Sequence, residues 1–311
     1  MNRLEAMLTL VAAVDAGSLS EASRRARVPL ATVSRRVSDL EQHLGTALLQ
    51  RSARALSLTD VGRAYVDACR RILEQVEEAE RIARGEYSEL KGQLFVVAPL
   101  VLGRIHAVPI VAEFLQAHPN IDVRLTLSDR VVSFSEERVD VALRVGELPD
   151  TGALRASRVG EVATVVGGSP DYFARRGTPR TPESLTEHDC ITFEGIASPQ
   201  SWTFAGEGTA SRVRIRSRLV VNTAEAAIEA ALAGLGVARV LSYQLAPAEA
   251  AGSLKQVLQA FQPRALPVHL IQSDQPTPPQ KLRAFIDFAV PRLRKRLGQG
   301  RDSSGSSSRA R

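Results

Sequence analysis

One short periodic stretch near the N-terminus restricts the fold more than any other feature. Leu30, Val33, Val37, Leu40 and Leu44 advance alternately by three and four residues, which makes one continuous apolar stripe along a single α-helix. Gly45 follows at the position of a helix stop. Pro29 suits the start, because proline is tolerated at the first position of a helix, and Arg27-Val28-Pro29 supplies the turn before it. Ser18 and Glu21 have the S-x-x-E spacing of a capping box and predict a second helix from Leu19 to about Ala26. Leu4, Met7, Leu8, Val11 and Val14 predict a first helix, which Gly17 ends. Three small helices with a tight turn before the third predict a helix-turn-helix.

Off the stripe, Ala31, Thr32, Arg35 and Arg36 adjoin one another at i,i+3 and i,i+4 spacing. From Ser18 to Arg36, five arginines (Arg24, Arg25, Arg27, Arg35, Arg36) face a single acid, Glu21. Such a surface suits DNA, because each neutralised phosphate releases condensed counterion. A solvated helix face is the plain alternative, and the joint spacing of cap, turn and stripe weighs against it. Leu48 to Thr59 then reads as two short strands with arginines between them, a hairpin wing in which Arg51 and Arg54 reach backbone phosphate or the minor groove. Thr59 caps a further helix. Along it Tyr65, Ala68, Ile72, Val76, Ala79 and Ala83 form a near-heptad seam that predicts pairing with a second copy. Cys69 lies beside that seam as a small packing residue.

Charge says less than its total suggests. The chain of 311 residues carries 40 Lys and Arg against 34 Asp and Glu. From Arg292 onward there are seven bases and one acid, Asp302, so this end holds the whole excess of +6. The Gly/Ser/Arg-rich stretch 298–311 is expected to be a disordered basic tail. Two cysteines, Cys69 and Cys190, exclude a disulfide framework or a cysteine-built zinc site and permit a reducing compartment. The start lacks a signal-peptide pattern and no apolar run approaches about 18 residues, so a cytoplasmic protein without a membrane span is expected. No H-E-x-x-H, G-x-S-x-G or P-loop occurs. Gly234-Leu235-Gly236 stands after a helix and before a strand, the reverse of dinucleotide-binding order, and reads as a helix stop. His188 and Cys190 share a strand face but lack an orienting third group. An enzyme is therefore the residual hypothesis, and neither a cofactor nor a metal is expected.

From about Gly92 to Leu297, β-rich runs alternate with helical stretches, the signature of α/β units with parallel strands. Strands are expected at 94–98, 121–127 and 139–145, with a helix reaching about Ala117 after the turn at Pro99–Gly103. A crossover to a second lobe is expected at 162–166, a return at 267–272 and a closing helix at 279–297. A cleft between such lobes lies at strand C-terminal ends, where helix N-termini point inward. This nominates Leu100, Val101 and Leu102 through their backbone N–H groups, then Ser128 and Asp129 after the second strand. Arg144 serves either as an anion partner or in a salt bridge. Asn222 and Thr223 precede a helix, with Thr223 either a plain cap or a ligand contact.

Ser18, Ala22, Ala26, the run Thr32-Val33-Ser34-Arg35-Arg36-Val37, Leu40-Glu41, Leu44-Gly45, Leu49, Arg51, Arg54, Leu58-Thr59 and Gly62 form a spaced set that resembles the LysR-type transcriptional regulator family. Weaker matches run on through Val139-Asp140-Val141-Ala142-Leu143-Arg144-Val145-Gly146, Gly168-Ser169-Pro170 and Ala233-Gly234-Leu235-Gly236-Val237. The resemblance implies an α/β protein with an all-α, winged N-terminal part. The expected parts are a winged helix-turn-helix (1–58), a dimerising linker helix (59–89) and a two-lobed effector domain like a periplasmic binding protein (92–297). Lobe 1 would hold 92–161 and 267–297, and lobe 2 would hold 162–266. The resemblance places Thr32, Ser34, Arg35 and Arg36 on the recognition helix and Arg51 and Arg54 in the wing. It implies promoter DNA, a small-molecule effector and a homodimer or homotetramer as partners. Two departures stand out: Pro29, where many relatives have a capping serine, and Val101, where many have a hydroxyl that would line the pocket. The second tells against a simple carboxylate held at Val101. The competing reading is a small-molecule binding protein whose N-terminal helices serve assembly only.

Overall fold

The computed structural model describes residues 2–50, 56–83, 90–130, 139–148, 154–196, 198–206, 210–274 and 278–298. They form two compact units, divided after Glu89.

In the first unit α1 (Arg3–Asp15), α2 (Leu19–Ala26) and α3 (Leu30–Leu44) precede a hairpin of β1 (Leu49–Gln50) and β2 (Ser57–Leu58), and α4 (Asp60–Ala83) closes it. Each boundary has a local cause. The Ser18 hydroxyl accepts from the Glu21 N–H at 3.0 Å, while the Glu21 carboxylate takes Arg24 at 2.5 Å and Arg25 at 3.1 Å. Arg27 turns the chain in the left-handed region, and Gly45 does the same at φ 67° behind α3. Pro29 sits just outside α3 as its N-cap, with no side-chain cap bond. The Thr59 hydroxyl accepts from the Gly62 N–H at 2.9 Å to open α4 and donates to the Ala47 carbonyl at 2.8 Å. A Cβ on Gly62 would stand 2.0 Å from the Leu48 carbonyl oxygen, so only glycine lets α4 lie against the root of the wing.

Two sequence expectations change here. Helix α1 buries Ala6, Leu10 and Ala13, whereas Leu4 and Leu8 are 41% and 51% exposed. The two alanines let neighbouring helices approach while Leu10 fills the centre, and the larger apolar residues fall outside. On α3 the middle of the stripe, Val33, Val37 and Leu40, is buried, but Leu30 and Leu44 are exposed at its ends. On α4 Val66 and Cys69 enter the core, so Cys69 is fully buried. The seam stays largely uncovered within one protomer, with Ile72 40% exposed and Ala79 exposed.

The second unit holds two five-stranded sheets. The first has order β4-β3-β5-β14-β6, with β3 (Gly92–Ala98), β4 (Ile121–Leu127), β5 (Val141–Val145), β6 (Leu154–Val162) and β14 (Leu266–Ser273). The second has order β11-β8-β12-β7-β13, with β7 (Thr164–Gly168), β8 (Asp189–Phe193), β11 (Arg216–Val221), β12 (Val237–Leu241) and β13 (Lys255–Val257). A separate hairpin pairs β9 (Ser201–Phe204) with β10 (Ser211–Arg214). The sheets are mixed rather than all parallel. Strand β3 runs parallel to β4 and β5, but β14 is antiparallel to β5 and β6. In the second lobe β8 runs parallel to β11 and β12, and β7 is antiparallel to β12 and β13. Antiparallel β14 follows from the topology, since the chain re-enters the first sheet without a helical crossover.

Helices α7 (Pro170–Arg176), α8 (Ala224–Leu232) and α9 (Ser242–Ala250) belong to the second lobe. In the first, α5 (Leu100–Leu102) continues through a π-turn (Gly103–Ala107) into α6 (Val108–Ala117). Residues Leu100–Ala117, with mean hydropathy 1.4, are long and apolar enough to cross a membrane by composition. Here Leu102, Ala107, Ile110, Val111 and Phe114 instead join one core with the sheet and with Leu282, Phe285 and Leu293 of α10 (Gln280–Gly298).

Candidate functional site

The first candidate site is the outer side of α3. Opposite the buried Val33, Val37 and Leu40, the helix exposes Ala31 and Arg35 one turn apart, with Ser38, Asp39 and Gln42 beyond them. Thr32 and Ser34 are half-buried on the flanks. Arg35 has no hydrogen-bond or ion-pair partner among the described residues, so its guanidinium keeps all its donors free. Arg36 differs: it pairs with Glu5 of α1, which ties α3 to α1. Sequence reasoning grouped the two arginines and had no sign of Glu5. The wing is rooted by Glu41, whose carboxylate accepts from the Leu48 and Leu49 N–H groups at 2.7 and 2.9 Å. Leu49 pairs with Leu58 and Gln50 with Ser57, as a hairpin requires. Arg51 and Arg54, expected at its tip, lie outside the described residues.

The second candidate site is a cavity of about 240 Å³ between the lobes of the second unit. Its floor comes from the C-terminal ends of β3, β4 and β5: Val97, Ala98, Pro99, Ser128, Asp129, Arg130 and Ala142–Val145. The other lobe contributes Phe193, Gly195, Ile196, Leu241, Tyr243 and Gln244. Ser128 and Asp129, nominated from the end of the second strand, and Arg144, nominated as an anion or salt-bridge partner, all line it. Arg130 and Arg144 have no side-chain ion-pair partner among the described residues, which removes the salt-bridge alternative for Arg144 there.

The start of α5 is arranged otherwise than expected. The Leu100 N–H donates to Asp129 Oδ1 at 3.0 Å, and the Gly103 N–H to the Pro99 carbonyl at 2.7 Å. The chain's own carboxylate thus occupies the helix N-terminus that was to meet a ligand. Leu102 is fully buried in the first lobe's core, and Val101 packs with Val165, Ile191 and Val240 of the second. Leu100, Val101 and Leu102 do not line the cavity. Nor do Asn222 and Thr223: the Thr223 hydroxyl accepts from the Ala226 N–H at 3.3 Å and caps α8.

Burial pushes the Asp129 carboxyl up, the Leu100 N–H opposes that rise, and the Glu225 charge adds to it. Burial, then the Asp129 charge, push the Tyr243 hydroxyl well above its ordinary value. Gln244 holds the edge of this cluster by accepting from the Leu241 N–H at 2.8 Å. Tyr243 and Gln244 escaped the sequence reading, although they lie in the first turn of α9 just past β12, and the strand-end rule that found Ser128 applies to them equally.

Two other groups are settled by burial. Cys190 is fully buried and its thiol is pushed up to about 12 by burial, while His188 Nδ1 lies 3.2 Å from the Tyr172 hydroxyl. A protonated thiol with its imidazole engaged elsewhere is no nucleophile. His106 stands edge-on to Tyr243 with centroids 6.3 Å apart, and its pKa is lowered to about 4 by burial and then by Arg296. The unfolded chain binds this proton near pH 6.5, the folded one only near 4. Stability present above pH 6.5 is therefore lost as pH falls toward 4. We expect the melting temperature of the second unit to drop across that window and the drop to shrink in His106→Phe. Because burial also lowers His188, the drop will not vanish. An undiminished drop in His106→Phe would refute the assignment.

Both units have counterparts among known proteins. Residues 4–63 match the family described as bacterial regulatory helix-turn-helix protein, lysR family, and residues 88–294 match the LysR substrate binding domain. The chain is 33% identical over 292 residues to the HTH-type transcriptional repressor PA14_22550 of Pseudomonas aeruginosa, covering 93% of this chain and 92% of that protein. It is 30% identical over 296 residues to the HTH-type transcriptional regulator CrgA of Neisseria meningitidis serogroup B, covering 94% and 98%. The CrgA structure superposes with TM-score 0.59 at 30% identity over 93% of this chain and 98% of that one. The full-length structure of the Vibrio cholerae virulence activator AphB gives TM-score 0.59 at 26% identity over the same shares.

Proposed function

This chain belongs to the LysR-type family of transcriptional regulators, DNA-binding proteins with an effector-binding domain, and on that premise we propose how its parts divide the work. Residues 1–58 dock on promoter DNA, 59–89 pair protomers, and 92–297 bind the effector between a first lobe (92–161 and 267–297) and a second (162–266). The carrying observation is the free outer side of α3, with Ala31 and Arg35 exposed opposite its buried side. Arg35 reads a base edge. Thr32 and Ser34 contact the groove wall, and Arg36, braced by Glu5, sits at a phosphate. Arg51 and Arg54 hold the wing to the backbone. The uncovered seam of α4, with Ile72 at its centre, supports a homodimer or an assembly of dimers. The working compartment is the cytoplasm, where the DNA is.

The effector is a small organic anion. Its charge meets Arg144 and Arg130, the two cavity arginines without acidic partners among the described residues, and its carbon skeleton lies against Phe193, Ile196 and Val97. The beginning of α5 is not its anchor, because Asp129 already fills that place. The alternative in which the N-terminal helices serve assembly only gives way to the regulatory helix-turn-helix match over 4–63. A footprint on DNA flanking the chain's own gene, repeated with a panel of small carboxylates, tests both parts. Protection that a carboxylate shifts in the wild type but not in Arg144→Gln is expected. A carboxylate response surviving intact in Arg144→Gln would refute the anion assignment.

A further inference from the structure

Outside both sites, the second lobe carries an arginine ladder. In Ser211–Leu219 arginine occupies every second position, Arg212, Arg214, Arg216 and Arg218, and no acid occurs between Ala210 and Asn222. The strands make the ladder rigid. Val213 and Ile215 are buried between the rungs, β10 pairs with β9, and β11 pairs with β8. All four arginines are exposed. Little nearby neutralises them. Arg218 meets Asp189 at 3.2 Å and the Arg212 Nε donates to the Ser201 hydroxyl at 2.7 Å. Arg214 and Arg216 have no side-chain partner among the described residues.

Charges on an exposed strand commonly serve to block edge-to-edge pairing, and β11 is an edge strand. One or two charges accomplish that. A rung at every alternate residue across two consecutive strands exceeds it, in a body whose charge up to residue 291 is balanced. Alternate residues of a strand lie about 6.8 Å apart, so neighbouring rungs can meet neighbouring phosphates of one DNA strand. The row is not one straight strand, since β10 and β11 lie in different sheets and the register of β11 shifts between Ser217 and Leu219, but it presents four exposed guanidinium groups, and arginine binds phosphate in bidentate fashion.

We infer that the Arg212–Arg218 ladder is a second, sequence-independent contact for the DNA backbone, made by the regulatory unit and separate from α3. The inference rests on the DNA-binding reading above and extends it to a surface with no role in sequence recognition.

The test uses the full chain and a mixed-sequence duplex of about 60 base pairs, long enough for several phosphate contacts, with affinity followed by anisotropy against salt concentration. Each lost phosphate contact lowers the log–log salt slope by about 0.9. Arg214→Ala/Arg216→Ala is expected to lower it by about 1.8 per docked protomer. Between about 50 and 200 mM salt the variant then loses roughly twelve-fold less affinity than the wild type. Arg214→Lys/Arg216→Lys is expected to keep the wild-type slope. Trp202 is the only tryptophan and pairs with Val213 in the same hairpin, so unchanged emission certifies that the fold around the ladder is intact. An unchanged slope in the alanine variant, with Arg36→Ala still lowering affinity, overturns the ladder and leaves the DNA-binding reading standing. Absence of any duplex affinity in the wild type overturns both.

Discussion

Arg35→Ala is expected to weaken binding to the specific promoter site by about 1–3 kcal/mol, a loss of roughly five- to 150-fold, as when a bidentate contact to a base edge is removed. The argument is geometric. Val33, Val37 and Leu40 fix the rotation of α3 in its unit, and that rotation turns Arg35 outward. Its neighbour Arg36 is turned toward α1, where Glu5 holds it. The two arginines, adjacent in sequence, should therefore behave differently. Arg36→Ala should weaken specific and mixed-sequence DNA in similar proportion, whereas Arg35→Ala should compress the ratio between them. Arg35→Lys separates charge from shape, because it keeps the cation and loses the planar fork. It should retain affinity for mixed sequence and lose discrimination. Titration of footprinted and scrambled duplexes with each variant measures this, and an unaltered ratio in Arg35→Ala would show that another side chain reads the site.

Phe114→Ala is expected to destabilise the regulatory unit by about 3–5 kcal/mol, in the range for removing a fully buried aromatic ring. Phe114 is 0% exposed. Its ring meets Phe285 edge-on at 5.1 Å and Phe288 at 5.3 Å, joining α6 to α10. The helix that returns from the far end of the chain packs on the first lobe through this cluster and along β6. In a unit of this size each kcal/mol shifts the melting temperature by about 2–4 °C, so a fall of roughly 6–20 °C is expected. In urea the midpoint should fall while the slope of the transition stays unchanged, since the surface exposed on unfolding is nearly the same. A shift below about 2 °C would mean that α10 is held by other contacts.

What the chain discloses before folding depends on how local the cause is. The caps at Ser18 and Thr59 and the left-handed Gly45 are set by neighbours within a few residues, and each was legible. The middle of the α3 stripe was legible because polar residues separate its members. Helix α1 was not, since it is apolar on most sides: Leu4, Met7, Leu8, Leu10 and Val11 leave periodicity no contrast, and only packing selects Leu10. The mixed direction of the sheets was invisible for a similar reason, because a buried strand reads alike whichever way it runs. At the cavity, Ser128 and Asp129 followed from a strand end. The capture of the α5 N-terminus by Asp129 joins residues 29 positions apart, which no spacing rule reveals.

Thr59 and Gly62 bind the beginning of α4 to Ala47 and Leu48, with a hydroxyl bond on one side and no space for a single extra carbon on the other. Helix and wing therefore pivot as one lever. If two such levers are yoked along α4, sliding or rolling one coil against its mate resets the stride between the paired reading heads. Regulation then needs no change within the DNA-binding fold, only a new gait on the duplex.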